Sequence, residues 1–372
     1  MEKKMERKIW QESAGDSERV YVDACLRHDV ILNGPGGFGS WPNCKDALIE
    51  YGERIKINKV KKAEDLRRFA EDMKEGDIVI LRTGTNLVHA IGIISGKYIW
   101  NDLFSDVDGW DLQHVRRVKW VWDKSSNGGN PKVFPTNSLK QGDTTQLLGT
   151  LPLRKPILDW LKSLQLNYEK VSLKVRDLPK PSREVTLDEI GEFLFDKGVS
   201  SNSIENLKES IDDLQMIARW YDNDSNLKPS EFETEAYLII PILRKLGWTP
   251  QKMALEYKSM EEKGRRIDIV LFSNLPRSTE NIVALIEAKR KGNSVFRAFE
   301  QAEDYAKAKS GINRLIVTDG IRYGVYLKCG EGWSLHAYMN LTRFKKEYKI
   351  YGCLGISEAL WVMSPEWTKG FK

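Results

Sequence analysis

The sequence predicts a multidomain α/β protein. We expect a small β-barrel at the N-terminus, a helical linker, and a C-terminal mixed sheet flanked by helices. The chain has 372 residues, enough for two or three domains of ordinary size. Short β-rich segments occupy the first third of the chain, and helical and strand patterns alternate in the last third. Flexible stretches between these parts place the domain boundaries at 8–124, 125–228 and 229–372.

The first domain contains one predicted helix and four short strands. The helix covers Ala63–Met73, and Gly76 and Asp77 form a turn after it. The strands are Ile78–Leu81, Leu87–Ile94, Lys97–Trp100 and Val115–Trp122. Short strands at this spacing are typical of a small barrel or a strongly bent sheet. Residues 125–131, rich in Ser, Asn and Gly, end the domain.

The middle part, 125–228, is predicted to be a linker and a helical spacer. Thr186 and Glu189 form a capping-box pattern before an apolar run. From Ser203 to Tyr221, apolar residues recur at helical spacing. These residues carry no recognisable catalytic pattern, so we expect a packing role.

The C-terminal domain has the element order α-β-β-β-α-β. Its first helix runs from a capping box at Ser230 to Leu246, and Gly247 ends it. The remaining predicted elements are, in order, the strands Met253–Tyr257, Ile267–Phe272 and Ile282–Ala288, the helix Ser294–Lys309, and the strands Arg314–Thr318 and Gly324–Leu327. This order predicts a mixed sheet with helices against it.

Composition excludes several classes of protein. Hydrophobic residues are 41% and charged residues 30%, which excludes wholesale disorder. No apolar run approaches the ~18 residues of a membrane span, and Met1–Lys8 lacks the apolar core of a secretory signal. The four cysteines form no CxxC pair, which argues against a disulfide framework or a structural zinc site. We therefore expect a cytoplasmic protein.

The net charge of +5 is unevenly distributed. Residues 1–125 carry 21 basic and 21 acidic residues, whereas residues 229–372 carry 23 and 17. The whole excess therefore lies in the last part, which is compatible with a polyanionic partner. A solvated surface with a few extra lysines explains the charge about equally well.

Three residues at the ends of two apolar strands carry the predicted chemistry. Asp268 lies in one strand, and Glu287 and Lys289 end another, where the period of two places them on one face. Burying a lone charge there is costly, and the cost falls if Asp268 and Glu287 share a divalent cation. Mg²⁺ prefers such oxygen ligands, and Mn²⁺ can substitute. The alternative is a Glu–Lys ion pair with an unrelated Asp.

This arrangement resembles the PD-(D/E)xK nucleases, and most of all the nuclease domain at the N-terminus of type I restriction R subunits. The likeness covers about 229–350 and rests on the stretches Ser230–Glu235, Pro241–Trp248, Ile267–Asp268, Glu287–Lys289, Gln301–Tyr305 and Thr318–Tyr323. It implies metal-dependent hydrolysis of phosphodiesters, with Asp268 and Glu287 as metal ligands and Lys289 at the scissile phosphate.

The resemblance also implies three further site residues. The family often adds a Glu from the first helix, and Glu231 matches by its spacing, with Glu235 on the same face as the alternative. Gln301 matches the glutamine motif of some of these nucleases. Tyr305 follows at i+4, so both side chains are expected to face the site.

The N-terminal domain resembles the EVE-like branch of the PUA-like readers, which includes YTH and SRA-type modules that take a flipped base into an aromatic pocket. The likeness rests on Gly76–Val79, Ala90–Ile94, Gly96–Tyr98 and Val107–Trp120. A flipped base needs flat apolar faces and polar groups for its edge. The candidate walls are Trp10, Trp41, Trp100, Trp110 and Trp120, and the candidate edge contacts are Asn101, Asp108 and Asp111. For any single Trp the alternative is core packing.

Together these features favour a modification-dependent, type IV-like restriction endonuclease that cuts foreign DNA carrying modified bases and so defends against phage. A homodimer would supply the second active site that double-strand cleavage requires. Two alternatives remain. The first is a nuclease that reads unmodified DNA or RNA. The second is a protein that binds nucleic acid without catalysis and uses the nuclease fold as a scaffold.

Overall fold

In the computed structural model, two compact units are formed by Met1–Pro181 and Ser182–Lys372. The described residues are 7–16, 18–54, 59–139, 142–149, 152–223, 227–258, 266–307 and 311–367. Each unit combines a multistranded sheet with helices, so the predicted mixed α/β class is confirmed. Among the described helices, none is both long and apolar enough to cross a membrane.

The first unit contains a seven-stranded sheet. Its strands are β1 (Ile9–Ser13), β2 (Val30–Asn33), β3 (Ile78–Thr83), β4 (Leu87–Trp100), β5 (His114–Asp123), β6 (Lys132–Val133) and β7 (Thr145–Leu147). Its helices are α1 (Val22–His28), α2 (Lys45–Arg54), α3 (Lys59–Arg67) and α4 (Lys155–Ser163). The two predicted strands 87–94 and 97–100 form one long strand, β4, which pairs with β5 on both sides of an irregularity.

The sheet curves so that its two end strands meet through side chains. The strand order is β2-β5-β4-β3-β1-β7, with β6 paired to β4. Asn33 at the end of β2 donates from Nδ2 to Oγ1 of Thr145 in β7, at 3.0 Å. A buried hydrogen bond of this kind stabilises the approach of the two edges because neither group is left unpaired. The arrangement is a strongly bent sheet, the alternative that the short strands also predicted.

The first unit extends beyond the predicted boundary at 124. β7 pairs antiparallel with β1. Ile157 and Leu161 of α4 join the apolar cluster that contains Ile78 and Ile80 of β3. Because apolar burial fixes these segments, they belong to the first unit rather than to a spacer.

The second unit contains an eight-stranded sheet in the order β14-β15-β13-β12-β11-β10-β9-β8. The strands are β8 (Met253–Lys258), β9 (Arg266–Phe272), β10 (Ile282–Ala288), β11 (Arg314–Thr318), β12 (Arg322–Cys329), β13 (Gly332–Asn340), β14 (Glu347–Tyr348) and β15 (Cys353–Leu354). The helices are α5 (Leu187–Asp196), α6 (Ser201–Asn223), α7 (Glu231–Thr234), α8 (Ile240–Lys245), α9 (Ala298–Lys307) and α10 (Ile356–Met363).

Helices cover both faces of this sheet. Ile269 and Leu271 of β9 face a core formed with α5, α6, α8 and α10. Val270 and Phe272 point the other way, into a cluster with α9. The alternation follows the period of two in a strand, and it explains why these strands are apolar on both faces. The predicted spacer helices α5 and α6 are therefore part of this core. The predicted end of the α9 helix at Lys309 lies outside the described residues.

The predicted single helix 230–246 is interrupted by a π-helical turn, Glu235–Ile239. Pro241 follows at the start of α8 and has no N–H to donate to the preceding turn. The backbone N–H of Ile240 bonds instead to the carbonyl of Glu235, five residues back. Such a wide turn changes the direction of the side chains around it.

The extent of the first unit can be tested with two fragments. Residues 1–181 should unfold cooperatively, because the fragment keeps β7 and α4. Residues 1–124 should unfold without a sharp transition, because this fragment lacks β7, the strand that pairs with β1, and α4, the helix that covers Ile78 and Ile80. Circular dichroism melting measures both. Equally sharp melting of the two fragments would contradict this division.

Candidate active site

Three neighbouring strands bring one carboxylate each to the same level of the second sheet. Leu255 of β8 pairs with Ile269 and Tyr257 with Ile267, so Glu256 lies across from Asp268 of β9. Ile286 of β10 pairs with Ile269, so Glu287 lies across from Asp268 on the other side. The three acids therefore form a row across β8, β9 and β10.

The helix that precedes the sheet adds a fourth carboxylate, Glu235. Carboxylate oxygens of Glu235, Glu256 and Asp268 all lie within 4.8 Å of one another. Glu235 is buried, whereas Glu231, one turn earlier, is only half-buried. Of the two predicted first-helix acids, Glu235, the alternative, therefore lies with Glu256 and Asp268, whereas Glu231 lies outside this group and acts on it through its charge.

Glu256 was missed by the sequence reasoning. It has a φ of 49°, a left-handed conformation inside a strand, which is strained for a residue with a Cβ. Its Oε2 lies 3.3 Å from Nη1 of Arg266. The available signal was an acid within the otherwise apolar stretch Met253–Tyr257, one strand before Asp268.

Lys289 is held between Glu287 and Gln301. Its ammonium donates to Oε1 of Glu287 at 2.8 Å and to Oε1 of Gln301 at 3.3 Å. The other oxygen of Glu287, Oε2, is buried and has no hydrogen-bond partner among the described residues. Oδ2 of Asp268 accepts the backbone N–H of Ala288 at 2.6 Å. The predicted convergence of Asp268, Glu287, Lys289 and Gln301 is therefore seen in the geometry.

Burial and mutual repulsion raise the pKa of these acids. Burial, and then the charge of Asp268, raise the pKa of Glu235 to about 7, and the same two causes raise that of Glu287 to about 7. Burial is also the main cause that raises the pKa of Asp268, against the lowering effect of its bond to the Ala288 N–H. Lys289 and Arg266 supply two positive charges, which do not neutralise four carboxylates. An oxygen-only group with an orphaned buried oxygen fits a hard divalent cation.

Two predicted roles are placed differently by the structure. The predicted metal pair was Asp268 and Glu287, but the group of close oxygens found among the described residues joins Asp268 to Glu235 and Glu256, with Glu287 beside it.

Tyr305 is buried in the apolar cluster beneath α9 with Ile267 and Phe272, whereas Gln301 is exposed. A spacing of i+4 turns the side chain about 40° around the helix, enough to place Tyr305 in the core.

Three of the five tryptophans proposed for the base pocket support the fold of the first unit. The indole N–H of Trp10 donates to Oδ2 of Asp77 at 2.8 Å. That of Trp41 donates to Oε1 of Glu71 at 2.7 Å, and that of Trp120 to the Cys25 carbonyl at 3.3 Å. Trp10 and Trp41 are buried. These contacts are those of structural tryptophans.

Trp100 is exposed, and Trp110 is half-buried, as Trp120 is. Trp100 is 39% exposed and donates its indole N–H to the Gly36 carbonyl at 3.0 Å. Trp110 is half-buried, with the ring of Tyr21 edge-on at 5.5 Å and the Arg19 guanidinium over it at 5.5 Å.

The three proposed edge groups all lie in the segment that joins β4 to β5. Oδ1 of Asn101 accepts the Leu103 N–H at 2.9 Å, and Oδ2 of Asp111 accepts the Gly37 N–H at 2.9 Å. Asp108 is buried and has a φ of 51°. Asn101 and Asp111 therefore shape the segment that follows Trp100 and contains Trp110.

Two family models match parts of the chain. One is described as type I restriction enzyme R protein N terminus (HSDR_N) and matches residues 252–327. The other is described as a domain of unknown function (DUF8426) and matches residues 10–141. The first match spans β8 to β12 and includes Glu256, Asp268, Glu287 and Lys289. The chain therefore carries a restriction-enzyme-like domain in its second unit.

A search of the curated proteins found no match. Among solved structures, a fragment of a putative HsdR subunit of a type I restriction enzyme from Vibrio vulnificus YJ016 is 22% identical, over 32% of this chain and 24% of that chain, with a TM-score of 0.25. The YTH domain of Zygosaccharomyces rouxii MRB1 protein, in complex with N6-methyladenosine RNA, is 14% identical, over 45% of this chain and 90% of that chain, with a TM-score of 0.22. The chain thus spans about a quarter of the HsdR fragment.

The raised pKa of Glu287 predicts how stability depends on pH. An acid whose pKa is higher in the folded state than its ordinary 4.5 stabilises the fold at low pH, and this contribution is lost as the pH rises to about 7. In chelator, Glu287→Gln should therefore melt at a higher temperature than wild type at about pH 8, and the gap should close at about pH 4.5. Mg²⁺ should raise the melting temperature of wild type more than that of the variant.

Glu280→Gln is the control, because Glu280 is exposed at the opposite end of the β9–β10 hairpin. Thermal melting across the pH range measures all three proteins. If Glu287→Gln follows the wild-type profile with and without Mg²⁺, the carboxylates do not repel one another as described.

Proposed function

We propose that the protein is a modification-dependent restriction endonuclease. In this proposal the second unit hydrolyses phosphodiester bonds of DNA, and the first unit recognises a modified base that marks foreign DNA, such as that of a phage. The observation that carries it is the convergence of Glu235, Glu256, Asp268 and Glu287 next to Lys289. The match of residues 252–327 to the R-protein family supports the nuclease part.

Mg²⁺ is the proposed cofactor, and Mn²⁺ can replace it. Asp268, Glu235 and Glu256 would hold it, with Glu287 beside them. The absence of His and Cys from this group disfavours zinc. When bound, such an ion supplies a more acidic water and stabilises negative charge on a phosphate.

Lys289 is proposed to contact a non-bridging oxygen of the scissile phosphate. Its ammonium is half-buried and is already oriented by Glu287 and Gln301. A preoriented cation needs little reorganisation as charge develops on the phosphate, so it stabilises the transition state more than the ground state. Gln301, on the exposed side of α9, is proposed to keep the ammonium in this position.

The first unit is proposed as the reader. Trp100 and Trp110 present ring surface on loops that are fixed by Gly36, Gly37 and Tyr21. A flipped base requires aromatic faces on which to stack. Residues 1–125 have no net charge, which favours recognition of a base in a pocket over non-specific binding to the phosphate backbone of the nucleic acid. A homodimer is proposed for cleavage of both strands.

Two other functions compete with this one. A reader of unmodified DNA or of RNA would use the same aromatic faces, because stacking does not depend on the sugar. A binder without catalysis would not need several close carboxylates beside an oriented lysine, since two of them, Glu235 and Glu287, are buried and their burial is costly. The site therefore favours an enzyme, and the substrate panel below separates the remaining choices.

Substitution of the core residues should abolish cleavage. Asp268→Ala, Glu287→Ala and Lys289→Ala each remove a group that acts with the others as a unit, so each should lower the rate at least 100-fold and the losses should not add. Glu280→Ala, away from the site, should cut like wild type. The measurement is cleavage of plain, 5-methylcytosine, hydroxymethylcytosine and glucosylated duplexes and of RNA, with Mg²⁺ or with chelator. A folded Glu287→Ala protein with near wild-type activity would show that the active site is misplaced.

The reader proposal predicts a binding preference in the full chain. With Ca²⁺ in place of Mg²⁺, the protein should bind one of the modified duplexes more tightly than its unmodified match. Trp100→Ala or Trp110→Ala should lose about 1–3 kcal/mol of that preference, the value of one stacking face. Trp220→Ala, in the second unit, should keep it. Fluorescence anisotropy measures the affinities, and equal binding of every modified and plain duplex would favour the reader of unmodified nucleic acid.

A further inference from the structure

Phe232 exposes a phenyl ring on the helical turn that precedes Glu235. Glu235, Glu256, Asp268 and Glu287 are the acids of the proposed site and are called the carboxylate group below. It is 70% exposed, the highest value among the large apolar residues that the structure describes. Exposing a ring of this size to water is unfavourable, and single exposed apolar residues need no explanation unless their position gives one. The position of Phe232 is that of a residue bordering the proposed active site.

The turn that carries Phe232 is fixed at both ends. Oγ of Ser230 accepts the Glu233 N–H at 3.2 Å, and Glu233 Oε2 accepts the Ser230 N–H at 2.7 Å. Thr234 is buried against Gly320, where an added Cβ would lie 2.7 Å from the Thr234 Cβ. Since Thr234 points into the protein, Phe232, two residues earlier on the helix, points into solvent.

The same geometry places the ring next to the acids. Residues 231 and 235 lie about 40° apart around a helix, and residue 232 lies about 60° from residue 235 on the other side. Glu235 belongs to the carboxylate group, and the charge of Glu231 acts on Glu235, Asp268 and Glu287. A polynucleotide whose phosphate reaches these acids therefore comes within reach of the first turn of this helix.

The charges of this turn decide which part of the substrate it can contact. Glu231, Glu233 and Glu235 are its ionisable residues, and none of its residues is basic. Phosphate is repelled by these carboxylates wherever no cation lies between them. A nucleobase is neutral and flat, and a phenyl ring offers it a stacking face worth about 1–3 kcal/mol.

We infer that Phe232 stacks on a nucleobase next to the scissile phosphate and so helps to position the strand for cleavage. This inference rests on the proposed nuclease function. It assigns to the second unit a base contact that does not depend on the reader in the first unit. Because stacking is not ionic, the contribution of Phe232 should change little with salt, unlike that of basic residues that contact phosphates.

The test combines Phe232 variants with abasic substrates in the full chain. The substrate is the oligonucleotide from the panel above that wild type cuts, made with a single abasic site at each position near the cleavage point. Phe232→Ala should lower kcat/KM about tenfold on the intact substrate, as expected for one lost stacking face. Phe232→Tyr should restore it. At one abasic position wild type should lose about as much, and Phe232→Ala should lose nothing further.

Phe195→Ala is the matched control, because Phe195 is 64% exposed on α5 and has no place in the carboxylate group. It should cut all substrates like wild type. The inference is overturned if Phe232→Ala cuts the intact oligonucleotide as fast as wild type, or if its loss persists at every abasic position. If wild type cuts none of the substrates, the nuclease proposal fails, and this inference fails with it.

Discussion

The mutual repulsion of buried carboxylates is the constraint on which the second unit depends. Asp268 lies near the start of β9 and Glu287 near the end of β10, and Glu235 reaches the same place from a helix. Burial, and then the charge of Asp268, raise the pKa of Glu235 and of Glu287 to about 7, so ionising these two acids costs free energy in the folded state. A fold keeps such a group only where something else compensates for it. The divalent cation proposed above would compensate for it, and the proposed phosphodiester chemistry would use that cation.

The placement of Glu287 and Lys289 could be predicted because it depends on strand periodicity. β10 and β11 have the predicted bounds, Ile282–Ala288 and Arg314–Thr318. Once β10 is fixed, the period of two places Glu287 and Lys289 on one face. The contribution of Glu256 could not be predicted, because it depends on the pairing of β8 with β9 and on a left-handed residue inside a strand. Neither leaves a pattern in the sequence.

The first unit was harder to predict because its order depends on contacts between distant residues. Asn33 and Thr145, 112 residues apart, join the two ends of the sheet. Thr145 also donates its hydroxyl to Glu12, a fully buried acid whose pKa is raised well above its ordinary value by burial and then by Asp65. No periodicity marks β7, which has three residues. Tryptophan count was likewise a poor guide, since Trp10 and Trp41 bond to Asp77 and Glu71 inside the fold.

The central claim is that Glu235, Glu256 and Asp268 bind one divalent cation together. Titration with Mn²⁺, followed by the loss of the free-ion signal in electron paramagnetic resonance, measures this directly in wild type and in single amide variants. Asp268→Asn should abolish binding, Glu256→Gln and Glu235→Gln should each weaken it at least tenfold, and Glu231→Gln should weaken it least. Wild-type Mn²⁺ affinity in Asp268→Asn and Glu256→Gln would contradict the account.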